Sequence, residues 1–210
     1  MSDATSSILA DFIIDTSFDC LSNKTIQHTK NTLLDTLACA IGGYTSPPGE
    51  IARKLAHTVS STDLPSRILG ESRTSTPDMA AFANAAMIRY LDCNDSYFSP
   101  GGGHPSDMIA AALTLTEALN NTGKDLIESI VIGYEIFTKL SDQVVVSKSG
   151  WDQGIFIGLS AASIAAKLLK LSKPQIINAL SLSIVPNLPM GATRMGELSM
   201  WKGCATAAAV

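Results

Sequence analysis

The 210-residue sequence contains no CxxC pair among its four cysteines. Cys20, Cys39, Cys93 and Cys204 lie too far apart in sequence to write a disulfide framework or a zinc knuckle, so we expect reduced thiols. Positive charge is not in excess: 15 Lys and Arg face 19 Asp and Glu, for a net charge of -4. With the basic residues scattered, no stripe exists to track phosphates, which excludes a nucleic-acid partner. Long apolar runs are missing as well. The longest nearly uncharged stretch, Gly154 to Ala166, falls short of the roughly 18 residues that span a bilayer, so no membrane is expected. The N-terminus MSDATSSILADFIID lacks the basic region of a secretory signal and the Arg-rich, acid-poor pattern of a transit peptide, which leaves the cytoplasm as the expected location.

Common ligand-binding signatures are absent too. There is no GxGxxG, GxxxxGK or GxSxG, so dinucleotide, P-loop and nucleophile-elbow readings lack support. A calcium loop opening at Asp92 would need glycine at Tyr97 and glutamate at Gly103, and has neither.

What is present is 46% apolar residues against 16% charged, enough for a substantial core, with only 6% aromatics. Abundant Ala and Leu pack helices closely more readily than they fill a sandwich, so we expect an all-α, multi-helix bundle in one domain spanning residues 1–210. Periodicity and punctuation predict helices over Ala4 to Ser17 and Lys24 to Gly43, the latter stopped by Gly42 and Gly43 and carrying Ile26, Leu33, Leu34, Leu37, Ala38 and Ile41 on one face. Pro47 and Pro48 lead a helix to Val59; Ser66 to Gly70 is at most a short strand. Thr76 caps a helix that opens on Pro77 and runs to Asp92, Pro105 starts one to Asn121, and Thr122 caps the next. Gly154 to Leu171 is apolar nearly all round and belongs in the bundle centre. Ser172 with Gln175 forms a capping box for a helix ending before Pro186, and a last helix begins near Met200. Its ATAAAV run has no stop signal, so we expect that element to continue past Val210.

Chemistry concentrates in DCNDSYFSPGGG, residues 92–103, between two strongly helical segments. Asp92, Asp95, Ser96 and His104 place carboxylates, a hydroxyl and an imidazole beside a helix start, where the dipole disfavours imidazolium and leaves a neutral, electrophilic ring suited to acid and base work. The alternative is that His104 caps its helix and the aspartates cap turns. The three glycines form either an anion nest or a flexible turn. Cys93 reads as a small residue at a helix end, without a basic neighbour to activate it. A second candidate is RMGELSMWKG, residues 194–203, where Lys202 sits at a helix start at a cost of up to about 1 kcal/mol, either to meet an anion or to snorkel past Trp201. In GWDQG, Trp151 and Asp152 line a pocket or close the bundle end, while His28 and His57 read as surface residues.

The strings LLDTLACAIGG, AFANAAMIRYLDCNDSY, HPSD and GELSMWKG together resemble the MmgE/PrpD family, in the expected order and from about Ile8 onward. The wording of RYLD, HPSD and GELSMWKG is closest to the branch that dehydrates 2-methylcitrate in propanoate metabolism. The resemblance implies a large helical domain followed by a smaller α+β lid, usually in a homodimer, and a lyase that uses no cofactor and no metal. Its substrate would be a small hydroxy-polycarboxylate such as 2-methylcitrate. The positions that match the family's functional motifs are Asp92, Asp95, Ser96, His104 and Lys202; on our own reading His104, Lys202, Asp92 and Asp95 are the expected catalytic residues, and Ser96 and Arg194 are expected to bind substrate. Where many members have histidine this sequence has Gln153, which removes an acid or base from that position. We expect either that a second chain supplies the lid or that the sequence is a fragment or a degenerate copy. The rivals are decarboxylation of cis-aconitate, epimerisation of an amino dicarboxylate, and a catalytically silent helical module that dimerises or docks on a lid-bearing chain.

Overall fold

A computed structural model describes residues 4–185, 187, 189–194 and 204–210, and these are mostly helical. The expected all-α bundle is present. Its helices are α1 (Ala4–Asp15), α2 (Asn23–Gly43), α3 (Pro47–Ala56), α4 (Pro77–Tyr90), α5 (Ile109–Ala118), α6 (Gly123–Gln143), α7 (Gly154–Leu168), α8 (Lys173–Ile184) and α9 (Cys204–Ala209). One minimal antiparallel pair, β1 (Ser66–Arg67) with β2 (Thr74–Ser75), sets Ser66 opposite Ser75 in the segment read as at most a short strand.

The starts follow local chemistry. Ser22 Oγ accepts from Thr25 N–H, and Ser46 Oγ from Gly49 N–H. Both predicted starts at Thr122 and Ser172 form, with Asp125 and Gln175 side chains reaching back to the cap N–H at 2.7 and 2.9 Å. Thr76 occupies the N-cap of α4, but its hydroxyl makes no capping bond.

The ends are where sequence reading overshot. α5 and α7 stop three residues early because Asn120 and Lys170 adopt left-handed conformations, with φ of 53° and 54°. The N–H groups of Asn121 and Leu171 then bond Thr116 and Ala166 carbonyls at 2.9 and 3.0 Å, closing each helix as a glycine usually would. The predicted helix from Pro105 also begins differently, with a 3-10 turn over Pro105–Met108 before α5.

α7 lies centrally, packed against α1, α5, α6, α8 and α9, with residues such as Phe156, Ile157 and Ile164 buried. α2 follows its apolar pattern only in part. Its buried residues are Thr29, Thr36, Cys39, Ala40 and Gly43; Leu33 packs against the core, while Leu34 and Ile41 are 70% and 77% exposed. At its C-terminal end the cause is close approach to α4: a Cβ on Gly43 would stand 2.0 Å from the Met87 carbonyl oxygen, so small residues must face α4 there. α2 ends at Gly43 as expected, and Gly42 and Gly43 are also contact residues of its last turn, against Leu91 and Met87.

His57 is not the surface residue its polar setting suggests. Its side chain is 16% exposed, with Nε2 at 3.6 Å from Glu71, which also takes bonds from Arg53 Nε and Tyr44 OH at 2.9 Å. His28 is exposed. Asp152 and Trp151 close the bundle end: Asp152 N–H donates to Pro189 O at 2.9 Å, and Trp151 forms a β-bridge with Met190.

Candidate active site

The loop from Asp92 to His104 joins α4 to the turn before α5, and its entry is fixed by Arg89 in the last turn of α4. Arg89 and Asp107 are buried, with side chains 2% and 0% exposed and Nε at 3.4 Å from Asp107 Oδ2. Arg89 Nη1 also pairs with Asp92 Oδ1 and stands 3.5 Å from Asn94 Oδ1. Asn94 in turn donates to Ser106 Oγ and Asp107 Oδ1, both at 2.8 Å. Asp92 takes φ of 57°, a left-handed conformation that aspartate tolerates and that turns the chain out of α4.

Asp95 joins the two ends of the loop. Its Oδ1 accepts from Ser106 N–H at 2.9 Å, its Oδ2 accepts from Tyr134 OH at 2.7 Å, and its carbonyl lies 2.8 Å from His104 Nδ1. A carbonyl only accepts, so Nδ1 carries the hydrogen and the neutral ring keeps its lone pair on Nε2, 3.9 Å from Asp92 Oδ1. Ser96 Oγ stands 3.4 Å from Nδ1. Tyr97 N–H donates to Gly103 O at 2.8 Å, narrowing the loop again.

Burial lowers the pKa of His104, the Arg89 charge lowers it further, and the Asp95 carbonyl and Asp92 only partly oppose this. The shift is in the direction expected from the sequence, but for a different reason. His104 precedes a four-residue 3-10 turn, and α5 begins only at Ile109, so no α-helix dipole acts at the ring. Burial of the Tyr134 hydroxyl, followed by the Asp95 charge, pushes its pKa well above the usual value.

The glycines are not an anion nest. Gly101 N–H donates to Ser141 O at 2.7 Å and Gly102 N–H to Ser99 Oγ at 3.0 Å, so both donors are already committed. Gly103, with φ of 139°, has no room for a Cβ, which would stand 2.6 Å from the Phe137 ring and 2.9 Å from Gln153 Oε1. That places Gln153 beside the loop.

Against the other face of the loop lies a cleft of about 410 Å³ between α2 and α6, lined by Thr25, Thr29, Asp95, Ser96, Tyr134 and Glu135 among others. Among the described residues no group of three or more His, Cys, Asp and Glu side chains converges as a metal site. No helix among them is long and apolar enough to cross a membrane.

The structure thus brings Asp92, Asp95, Ser96 and His104 together. Lys202 lies outside the described residues. Arg194 ends a 3-10 turn, Gly191–Arg194, and its side chain is likewise outside the description. Sequence reading missed Arg89, Asn94, Asp107 and Tyr134 as members of this network. The available signal was charge inside apolar helical strings: Arg89 in AFANAAMIRYLD and Asp107 in HPSDMIAAAL.

An all-helical domain with a buried arginine and a stapled histidine loop is the class that this geometry defines. The chain belongs to the MmgE/PrpD family, since the MmgE/PrpD N-terminal domain matches residues 7–210. It is 26% identical over 212 residues to 2-methylcitrate dehydratase of Cupriavidus necator, an alignment covering 93% of this chain and 43% of the relative. It is 28% identical over 178 residues to 2-methylcitrate dehydratase of Escherichia coli, covering 79% and 36%. A probable 2-methylcitrate dehydratase of Saccharomyces cerevisiae is 28% identical over 179 residues, covering 78% and 34%. The chain therefore spans well under half the length of these relatives.

Proposed function

We propose that the protein is a hydro-lyase that eliminates water from a small hydroxy-polycarboxylate of the 2-methylcitrate type, in the cytoplasm and without a cofactor. The observation that carries this reading is the fixed tautomer of His104. With Nδ1–H on the Asp95 carbonyl and a pKa lowered by burial and Arg89, its Nε2 holds a free base at neutral pH. Supporting it are the relatives, which carry the name 2-methylcitrate dehydratase.

The difficult step is removal of a proton alpha to a carboxylate, which needs a positioned base and cations to hold the developing charge. In this reading His104 acts as acid or base beside Asp92, Ser96 binds substrate through its hydroxyl, and Lys202 with Arg194 receives the carboxylates. Either His104 or Lys202 takes the carbon-bound proton. The reading includes a homodimer, and a lid from another part of the polypeptide or from a second chain. The outward-turned Leu34 and Ile41 on α2 support such a further protein contact.

The test is alkene formation from 2-methylcitrate and citrate, followed by ultraviolet absorbance, with His104→Ala and Lys202→Ala alongside. We expect turnover to fall at least about a hundredfold in each variant while the helical circular-dichroism signal is kept. Near-normal turnover in both variants would sink the assignment.

A further inference from the structure

Tyr134, on α6, reaches Asp95 through its hydroxyl, and it has no place in the reaction sketched above. Asp95 has three acceptor positions in use. One holds Ser106 N–H, one holds His104 Nδ1–H and the last receives Tyr134 OH at 2.7 Å. The first two lie within the loop and its following turn, whereas Tyr134 is the one that anchors Asp95 to a long helix of the bundle. Without that anchor the Oδ2 edge of Asp95 faces the cleft between α2 and α6, where Asp95 and Tyr134 are neighbours on the wall.

We propose that Tyr134 is a positioning residue: by holding the Asp95 carboxylate it fixes the Asp95 backbone carbonyl that selects the Nδ1–H tautomer of His104 and aims Nε2 toward Asp92. The inference rests on the acid or base role of His104 argued above, and it adds the group that sets that role. The chain of contacts is short and directional. Tyr134 OH donates to Asp95 Oδ2, the Asp95 carbonyl accepts from Nδ1, and the lone pair is left on Nε2. Removing the hydroxyl leaves Oδ2 without this donor in a partly buried setting and releases Asp95 from α6, so the backbone at Asp95, with its carbonyl, is held only by contacts within the loop and the following turn. The charged groups around the ring are Arg89, Asp92 and Asp95, and those around the phenol are Asp95, Asp107 and Asp35. None of them supplies a hydrogen to Oδ2 in place of the phenol except by rearranging the Arg89 network.

Tyr134→Phe in the whole protein, selectively labelled with nitrogen-15 at histidine, tests this. The chain has only three histidines, so the His104 imidazole resonances can be assigned with His104→Gln. In the unmodified protein His104 shows a dominant Nδ1–H tautomer. Tyr134→Phe converts it to a mixture and shifts its titration, while His28 and His57 stay unchanged. Turnover of 2-methylcitrate falls about tenfold in kcat with KM within about twofold, because geometry and not binding is lost. An unchanged tautomer and titration in a folded Tyr134→Phe protein would overturn the proposal. Asp95→Ala, which removes the acceptor of the phenol and keeps the backbone carbonyl, supplies the second arm. If Tyr134 acts through the Asp95 side chain, adding Tyr134→Phe to Asp95→Ala changes the His104 tautomer no further, and an added change as large as in the unmodified background overturns the proposal. If the unmodified protein does not turn over 2-methylcitrate, the dehydratase reading fails alone, and the imidazole spectra still decide the role of Tyr134.

Discussion

Arg89 and Asp107, eighteen positions apart, form a buried ion pair that locks the end of α4 to the turn preceding α5. Neither charge is solvated: their side chains are 2% and 0% exposed. Removing one partner of such a pair strands the other, and the expected cost is about 3–5 kcal/mol. Arg89→Met should therefore unfold at markedly lower urea than the unmodified protein, whereas truncation of an exposed cation such as Lys139 should leave the midpoint almost unchanged. Equilibrium urea titration followed by circular dichroism measures both.

His104 makes stability depend on pH with a definite sign. Its folded pKa lies below the value of the unfolded chain, so the unfolded state binds more protons in the interval between them. The contribution to stability is fully present above the unfolded value of about 6.5 and is lost as pH falls through the lower folded value. His104→Gln should flatten the stability profile on the acid side of pH 6.5, read as the difference between urea midpoints of the two proteins from pH 7.5 down to 5. If His104 is the base, kcat declines over the same acid limb.

Gly43→Ala tests the close crossing of α2 and α4. Alanine gains about 1 kcal/mol over glycine within a helix, but here its Cβ would sit 2.0 Å from a backbone oxygen of Met87, which has no flexible end to yield. Overpacking against backbone outweighs propensity, and a net loss of about 2 kcal/mol or more is expected, visible as a lower Tm. A neutral or stabilising result would mean that the two helices separate easily at this point.

Lys167 ties α1 to the rest of the bundle. Its Nζ donates to the carbonyls of Ile13, Ile14 and Thr16 at 3.0, 3.2 and 2.6 Å and pairs with Glu128 at 3.1 Å, so it serves as the C-terminal cap that α1 does not carry itself. Lys167→Met should cost about 2 kcal/mol. Amide exchange should quicken first in residues 4–15, while α7 stays protected.

Helix starts were legible because capping residues act on their own neighbours in sequence; Ser22, Ser46 and the Thr122–Asp125 pair all work within one turn. Ends were less legible. Asn120 and Lys170 take on the left-handed conformation usually left to glycine, and nothing in a lysine announces that. The exposure of Leu34 and Ile41 on α2 was not legible, because hydrophobic periodicity groups the large residues on one face without weighing the backbone proximity at Gly43. In the candidate site, the cluster of Asp92, Asp95, Ser96 and His104 stood out because these residues are close in sequence. Tyr134 and Asp107 reach the same place from other segments, and a partnership that depends on how α6 packs has no local signature. The direction of the His104 shift was anticipated; its source, burial together with Arg89, required three dimensions.

The β-bridge between Tyr97 and Gly103 leaves the intervening chain as a side branch. Asp95 lies before the branch point and His104 and Ser106 after it, so the contacts that orient the imidazole form a closed circuit that does not pass through the tip. Phe98, 93% exposed, stands on the branch. The branch has its own mooring: Ser99 Oγ and Gly101 N–H both bind Ser141 on α6, each at 2.7 Å. The loop is thus held twice, once through the circuit that orients the imidazole and once, independently, through its tip.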